Sequence, residues 1–99
     1  MAEKIAQALI DLDRMQLVLD PVPGTARVQR ALERSISELQ ASLRAILEPD
    51  IRATSAAWRG SREELIEIRR SWAVETPRSV EGVLERTKMM AAVDLLLEE

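Results

Sequence analysis

Three glutamates in one short segment are the residues best placed for metal chemistry. Glu64 and Glu67 are three positions apart, and Glu63 precedes them. Residues at this spacing lie on one face of a helix, so the two carboxylates would stand side by side. Paired carboxylates can hold Mg²⁺ against a phosphate group. The simpler interpretation is an acidic first turn that faces solvent and stabilises the positive end of the helix dipole.

The Glu-x-x-Glu spacing resembles half of the motif of small all-helical nucleotide pyrophosphohydrolases, where Glu-x-x-Asp follows further along the chain. Here Leu84 stands three residues after Glu81, where the motif has an aspartate. Lys88 stands three residues after Glu85, again where the motif has an aspartate. A Mg²⁺-dependent helical phosphohydrolase is therefore the least favoured alternative, and we expect no metal site and no cofactor.

The side chains that most enzymes use for catalysis are missing. The 99 residues include no His, no Cys and no Tyr. His is the commonest general base and transition-metal ligand, and Cys supplies thiol nucleophiles and thiolate ligands. Small helical mutases hold a dicarboxylate with inward-facing basic residues, but the spacing of Arg14, Arg27 and Arg44 does not single them out. We predict that the protein is not an enzyme, with no catalytic residues and no small-molecule substrate.

A glycine between two predicted helices raises another alternative, a small helix-turn-helix DNA-binding regulator. Gly60 stands where the turn would be, but Ser55 and Arg59 occupy positions that should be apolar. The helix that would enter the DNA groove carries the three glutamates, which phosphates would repel. One feature favours nucleic acid, a basic stripe formed by Arg27, Arg30 and Arg34. Such a stripe is also typical of a solvated helix face, and we expect no nucleic-acid partner.

The tripeptide Trp58-Arg59-Gly60 occurs in an acidic chain without Cys. In this tripeptide, in its acidity and in its lack of Cys, the chain resembles the WxG proteins of type VII secretion. Those proteins are helical hairpins of similar length in which a Trp-x-Gly turn joins two long helices. The resemblance implies a secreted protein that dimerises. The chain departs from this pattern in three ways. Pro49 and Pro77 would interrupt the two long helices, and residues 1–20 add a further helix. The Tyr of the export signal is also missing. The alternative is that Trp58 is a core residue and that the glycine ends a helix.

The C-terminal segment is apolar on almost every side. Residues 89–97 contain a single charged side chain, that of Asp94. A helix of this kind is either the centre of a bundle or a surface that another chain covers, and both remain open. We predict a non-enzymatic interaction module that binds another protein or a second copy of itself by helix packing, as a small adaptor, an assembly or secretion chaperone, or a regulatory subunit. The predicted partner-binding residues are Met89, Met90, Val93, Leu95, Leu96 and Leu97.

Composition predicts that helices position all of these residues. Apolar residues make up 46% of the chain and charged residues 31%, as in folded proteins. Leu and Ile dominate, while Phe and Tyr are absent, which favours helix-on-helix packing over sheets. We predict an all-α fold, a small antiparallel bundle of four to five helices that forms one domain over residues 1–99. No secretory signal or membrane span is expected, so the predicted location is cytoplasmic.

Prolines and glycines divide the chain into five predicted helices. They lie at about residues 2–19, 28–47, 49–59, 61–74 and 77–97. Thr25 is a predicted N-cap, Ser61 and Glu64 form a predicted capping box, and Thr76 precedes a proline at the start of the last helix. The second helix has the most regular apolar stripe and is the predicted spine of the bundle.

The first helix carries apolar residues on two faces. Leu9 and Leu12 belong to the main stripe, and Ile10, Leu17 and Val18 widen it. We therefore expect both faces to contact neighbouring helices.

Overall fold

The chain forms five helices, named here in order, and the structure, a computed structural model, describes residues 1–98. The helices are α1 (Ala2–Leu19), α2 (Ala26–Ile46), α3 (Glu48–Ala57), α4 (Arg62–Val74) and α5 (Val80–Glu98). They account for 83% of the described residues, which contain no strand. The predicted all-α class and the five elements are confirmed.

The last helix, and not the second, is the centre of the fold. α5 contacts each of the other four helices, whereas α2 contacts α1, α3 and α5, and α4 contacts α5 alone. Ala91, Ala92 and Val93 of α5 are buried, and the small alanine side chains allow neighbouring helices to approach closely. The prediction that α2 is the spine is wrong, because a helix with one apolar stripe can be covered on only one side, while the second half of α5 is apolar nearly all round.

The predicted stripe of α2 faces the interior along its middle part, while Val28 and Ile46 near its two ends are 49% and 41% exposed. Leu32 and Leu43 are buried in the core. The arginines of the opposite face, Arg27, Arg30 and Arg34, are all exposed. The periodicity of α2 therefore fixes which side of the helix packs, although it does not fix how central the helix is.

The turn between α1 and α2 is held by side-chain hydrogen bonds. Thr25 occupies the predicted N-cap position of α2, but its hydroxyl makes no cap and donates instead to the carbonyl oxygen of Val22, at 2.8 Å. Gln29 Nε2 donates to the carbonyl oxygen of Leu19, at 3.0 Å. Gly24 has φ of +82°, a conformation that L-residues rarely adopt. The Gln29 bond satisfies the carbonyl group of Leu19, one of those left free at the end of α1.

The start of α4 matches half of the predicted capping box. Ser61 Oγ accepts a hydrogen bond from the backbone N–H of Glu64, at 3.2 Å. The reciprocal bond, in which the Glu64 carboxylate would accept from the backbone N–H of Ser61, is not formed. The carboxylate Oε1 accepts from the Ser61 hydroxyl instead, at 3.4 Å. The cap therefore fixes the first turn of α4 with one backbone bond.

The start of α5 differs from the prediction. The helix begins at Val80, and residues 75–79 are not helical, so Thr76 and Pro77 do not form its first turn. Ser79 Oγ accepts a hydrogen bond from the backbone N–H of Gly82, at 3.0 Å, and supplies the cap. Both Thr76 and Ser79 are good capping residues, and the sequence alone did not show which of them the chain would use.

Among residues 1–98, no helix combines the length and the apolar content that crossing a bilayer requires.

Candidate interaction surface

A groove runs between α3 and α5, and we call it the α3–α5 groove. Its volume is about 710 Å³. Its apolar lining comes from Ile51, Ala56 and Trp58 on one side and from Ala91, Leu95 and Leu96 of α5 on the other. Four charged residues also line it, Arg44, Glu48, Arg52 and Arg59, and all four are exposed. The lining is therefore mixed, with apolar side chains beside polar and charged ones, and such a groove is suited to binding an amphipathic helix.

The six predicted partner-binding residues do not share one face. Val93 is only 2% exposed and offers no surface area in this chain. Leu95, which is 39% exposed, and the half-buried Leu96 line the α3–α5 groove. Leu97 lines the space between α4 and α5, and Met90 lines the space between α2 and α5. The remaining residue of the set, Met89, is half-buried. Of the predicted set, the groove brings together Leu95 and Leu96.

Trp58 and Gly60 form the corner between α3 and α4. The Trp58 indole lies so close to Gly60 that a Cβ at residue 60 would collide with ring atom Cζ2. The same Cβ would stand 2.8 Å from Oε2 of Glu64. The indole Nε1 is buried and donates to no acceptor within residues 1–98. The glycine is therefore required by the close approach of the indole, which in turn forms one end of the groove.

Arg59 lies at the same corner and holds the end of α3. Its guanidinium donates to the carbonyl oxygens of Ala56, at 3.0 Å, and Trp58, at 2.8 Å. Basic side chains commonly bind the free carbonyl groups at a helix C-terminus. Within residues 1–98 no carboxylate pairs with Arg59, so its charge remains available to an incoming group.

The helices on either side of the Trp-x-Gly sequence do not form a hairpin. α3 has 10 residues and α4 has 13, and no Cα of α3 lies within 8 Å of a Cα of α4. Each of the two packs on α5 instead. WxG proteins join two long helices at this turn, and a helix-turn-helix reader packs its two helices against each other. The structure shows neither arrangement at Trp58–Gly60.

The glutamates of α4 are engaged in local contacts. Glu64 takes part in the cap with Ser61, and Glu67 Oε1 accepts a hydrogen bond from Arg70, at 2.7 Å. Within residues 1–98 no group of three acidic side chains is placed to hold a metal ion. This geometry corresponds to the simpler of the two interpretations, a solvated acidic first turn.

Asp94 connects three helices, which the sequence analysis did not predict. Its Oδ2 lies 3.8 Å from Arg44 of α2, and its Oδ1 lies 3.7 Å from Arg69 of α4. Oδ1 is buried and accepts no hydrogen bond from the described residues. One acidic residue in an apolar run, beside two arginine-rich helices, is the signal that could have identified it.

A second exposed apolar surface lies at the end of α1, and we call Met15, Leu17 and Val18 the α1 tip. Leu17 is 67% exposed and Val18 is 70% exposed. The prediction that both faces of α1 contact neighbours holds for Ile10, which is buried, but is wrong for Leu17 and Val18. Leu9, Ile10 and Asp13, nearer the N-terminus of α1, line one space together with Val83, Arg86 and Thr87 of α5. α1 also packs on α2.

No protein-family model, curated protein or solved structure matches this chain.

Proposed function

We propose that this protein is a non-enzymatic interaction module that binds a second copy of itself by helix packing. The observation that carries the proposal is the α3–α5 groove, where Leu95 and Leu96 of the central helix remain partly uncovered beside Trp58. Such a module serves as an adaptor, an assembly or secretion chaperone, or a regulatory subunit, and we place it in the cytoplasm.

The helix pair α4–α5 is antiparallel. α4 bonds to α5 near one end, where Arg86 Nε donates to the carbonyl oxygen of Trp72 at 3.0 Å. Near the other end of the pair, Arg62 and Ile66 of α4 line a space with Leu97. We take the five helices as one antiparallel bundle on this basis. A preformed groove between packed helices binds without the entropic cost of ordering a loop.

A second copy is the simplest occupant. Closed two-fold dimers are the commonest assemblies of soluble proteins. Contiguous apolar surface beside charged residues is typical of surfaces that bind another protein.

The substitution Leu95→Ser tests the proposal. It removes an apolar side chain from the groove lining while leaving the buried residues Ala91, Ala92 and Val93 in place. We expect the dissociation constant of the dimer to rise about tenfold or more, since central apolar contacts dominate binding energy. Sedimentation equilibrium measures this constant, and circular dichroism checks that the helices are retained.

Ile66→Ser is the matched control. Ile66 is 40% exposed, nearly the same as Leu95, but lies on α4 outside the α3–α5 groove. It should leave the dissociation constant unchanged. Equal effects of the two substitutions would contradict the assignment of the groove as the binding surface.

A further inference from the structure

We infer that the α1 tip of one copy occupies the α3–α5 groove of a second copy, and that the two copies exchange tips reciprocally. The inference rests on the proposed self-association and adds the segment that fills the groove. It joins the tip to the groove, two places where the fold leaves apolar side chains partly exposed.

The tip has the shape and chemistry of a helical ligand. It is the last part of an 18-residue helix, and Leu17 and Val18 project mainly into solvent. The hydrogen bonds of Thr25 and Gln29 fix the turn that follows it. The tip is therefore a preformed helix end, which pays little ordering entropy on binding.

The charges around the two surfaces are complementary. Three aspartates and one arginine surround the tip, giving −2. Three arginines and one glutamate line the groove, but Arg52 pairs with Glu48 and Arg44 pairs with Asp94, so the uncompensated positive charge of the groove is that of Arg59. The aspartates form no ion pair within residues 1–98, and neither does Arg59. Opposite charges at the edge of an apolar contact fix its register and accelerate encounter. The charged residues around the tip are Asp11, Asp13, Arg14 and Asp20.

The positions of the two surfaces allow a closed pair. α2 runs from beside the tip to the groove, since Gln29 bonds to Leu19 and Arg44 lines the groove. These two residues of α2 are about 22 Å apart at the helical rise per residue. Each copy has one tip and one groove at separate ends, so two copies lying side by side satisfy both contacts. The assembly then closes as a dimer and does not propagate.

A charge exchange between two variants tests the inference. Arg59→Glu reverses a charge of the groove, and Asp20→Arg reverses one beside the tip, where a basic residue also suits the helix end. Each variant alone should dimerise at least tenfold more weakly than the original chain, because like charges then face each other at both contacts. An equimolar mixture of the two should regain dimerisation, since both contacts of the mixed dimer pair opposite charges.

Arg30→Glu is the matched control, because Arg30 is exposed on α2 and does not line the groove. Arg30→Glu alone should dimerise like the original chain, and its mixture with Asp20→Arg should leave the Asp20→Arg chain weakly associated, because one contact of that mixed dimer still places two arginines together. Recovery in the Arg59→Glu mixture also shows that the variants are folded, since an unfolded chain could not bind. If both single variants dimerise like the original chain, the tip does not fill the groove, although self-association itself stands. If the original chain does not dimerise at all, the proposed function fails together with this inference.

Discussion

The two apolar helices of this protein, α1 and α5, have similar lengths and opposite surroundings. α5 has 19 residues and contacts four helices, whereas α1 has 18 residues and contacts α2 and α5 alone. Val93 of α5 is 2% exposed, and Val18 of α1 is 70% exposed. The same residue type is thus core in one helix and surface in the other. Apolar content indicates that a helix needs cover, but the number of neighbours decides whether it is covered within the chain.

Of these two helices, α1 bears more directly on the proposed function, because it is only partly covered within the chain. α1 is buried at Ala6, Leu9 and Ile10, where α5 lies alongside, and becomes exposed toward its end. A single helix therefore changes from buried core element to exposed surface along its length. We propose that this exposed end is covered by another copy, and the predictions below separate the two roles.

The largest expected difference is in the free energy of unfolding, between the substitutions Val93→Asp and Val18→Asp. An unpaired carboxylate at residue 93 would be enclosed by other helices, and burying such a charge costs several kcal/mol, about as much as a small domain's whole stability. At residue 18 the same carboxylate faces water, and the free energy of unfolding should change by less than about 0.5 kcal/mol. Urea unfolding followed by circular dichroism, at concentrations that keep the chain monomeric, measures both. Equal destabilisation would contradict the contrast between α5 and α1.

A smaller effect on stability is expected at Gly60, which lies at the corner between α3 and α4. Gly60→Ala places a methyl group against the Trp58 indole and a Glu64 carboxylate oxygen, so the ring must move. Overpacking of this kind typically costs about 1–3 kcal/mol of stability. Thermal unfolding measures the loss, and the intrinsic fluorescence of the two tryptophans reports the ring shift. An unchanged melting temperature together with an unchanged emission spectrum would show that the indole does not lie against residue 60.

The smallest effect is expected for Asp94→Asn, which removes the charge that links α5 to α2 and α4. The distances to Arg44 and Arg69 exceed hydrogen-bond length, and both arginine side chains are more than half exposed. Ion pairs of this kind contribute about 0–1 kcal/mol. Asp11→Asn on α1 is the control, because Asp11 forms no ion pair within residues 1–98. Unfolding at low and high salt measures the difference, and a loss above about 2 kcal/mol would mean that the pairs are far stronger than their geometry indicates.

Local pattern was sufficient to predict most of the helices. The spacing of Leu32 and Leu43 predicted the inward face of α2, and the Ser61 cap predicted the start of α4. The periodicity of a helix is a property of a few consecutive residues, so it is visible in the sequence. The start of α5 was missed because two capping residues, Thr76 and Ser79, stand close together.

The candidate site could be predicted only in part, for a physical reason. Leu95 and Leu96 were predicted as surface residues, but so was Val93, because a pattern that is apolar all round does not tell which side faces a neighbour. The exposure of Leu17 and Val18 depends on which helices lie beside the end of α1. The groove depends on α3 and α4 packing on α5 and not on each other. Each of these is set by long-range packing, which local spacing does not encode.

Light scattering of the unmodified chain over a wide concentration range tests the central claim most directly. We predict that the mass rises from the 11.1 kDa of one chain toward twice that value and stops there. The rise should shift to higher concentration as salt screens the charges around the tip and the groove. A mass that stays at that of one chain at every concentration and salt would contradict the account, because the groove and the tip would then have no second copy to cover them.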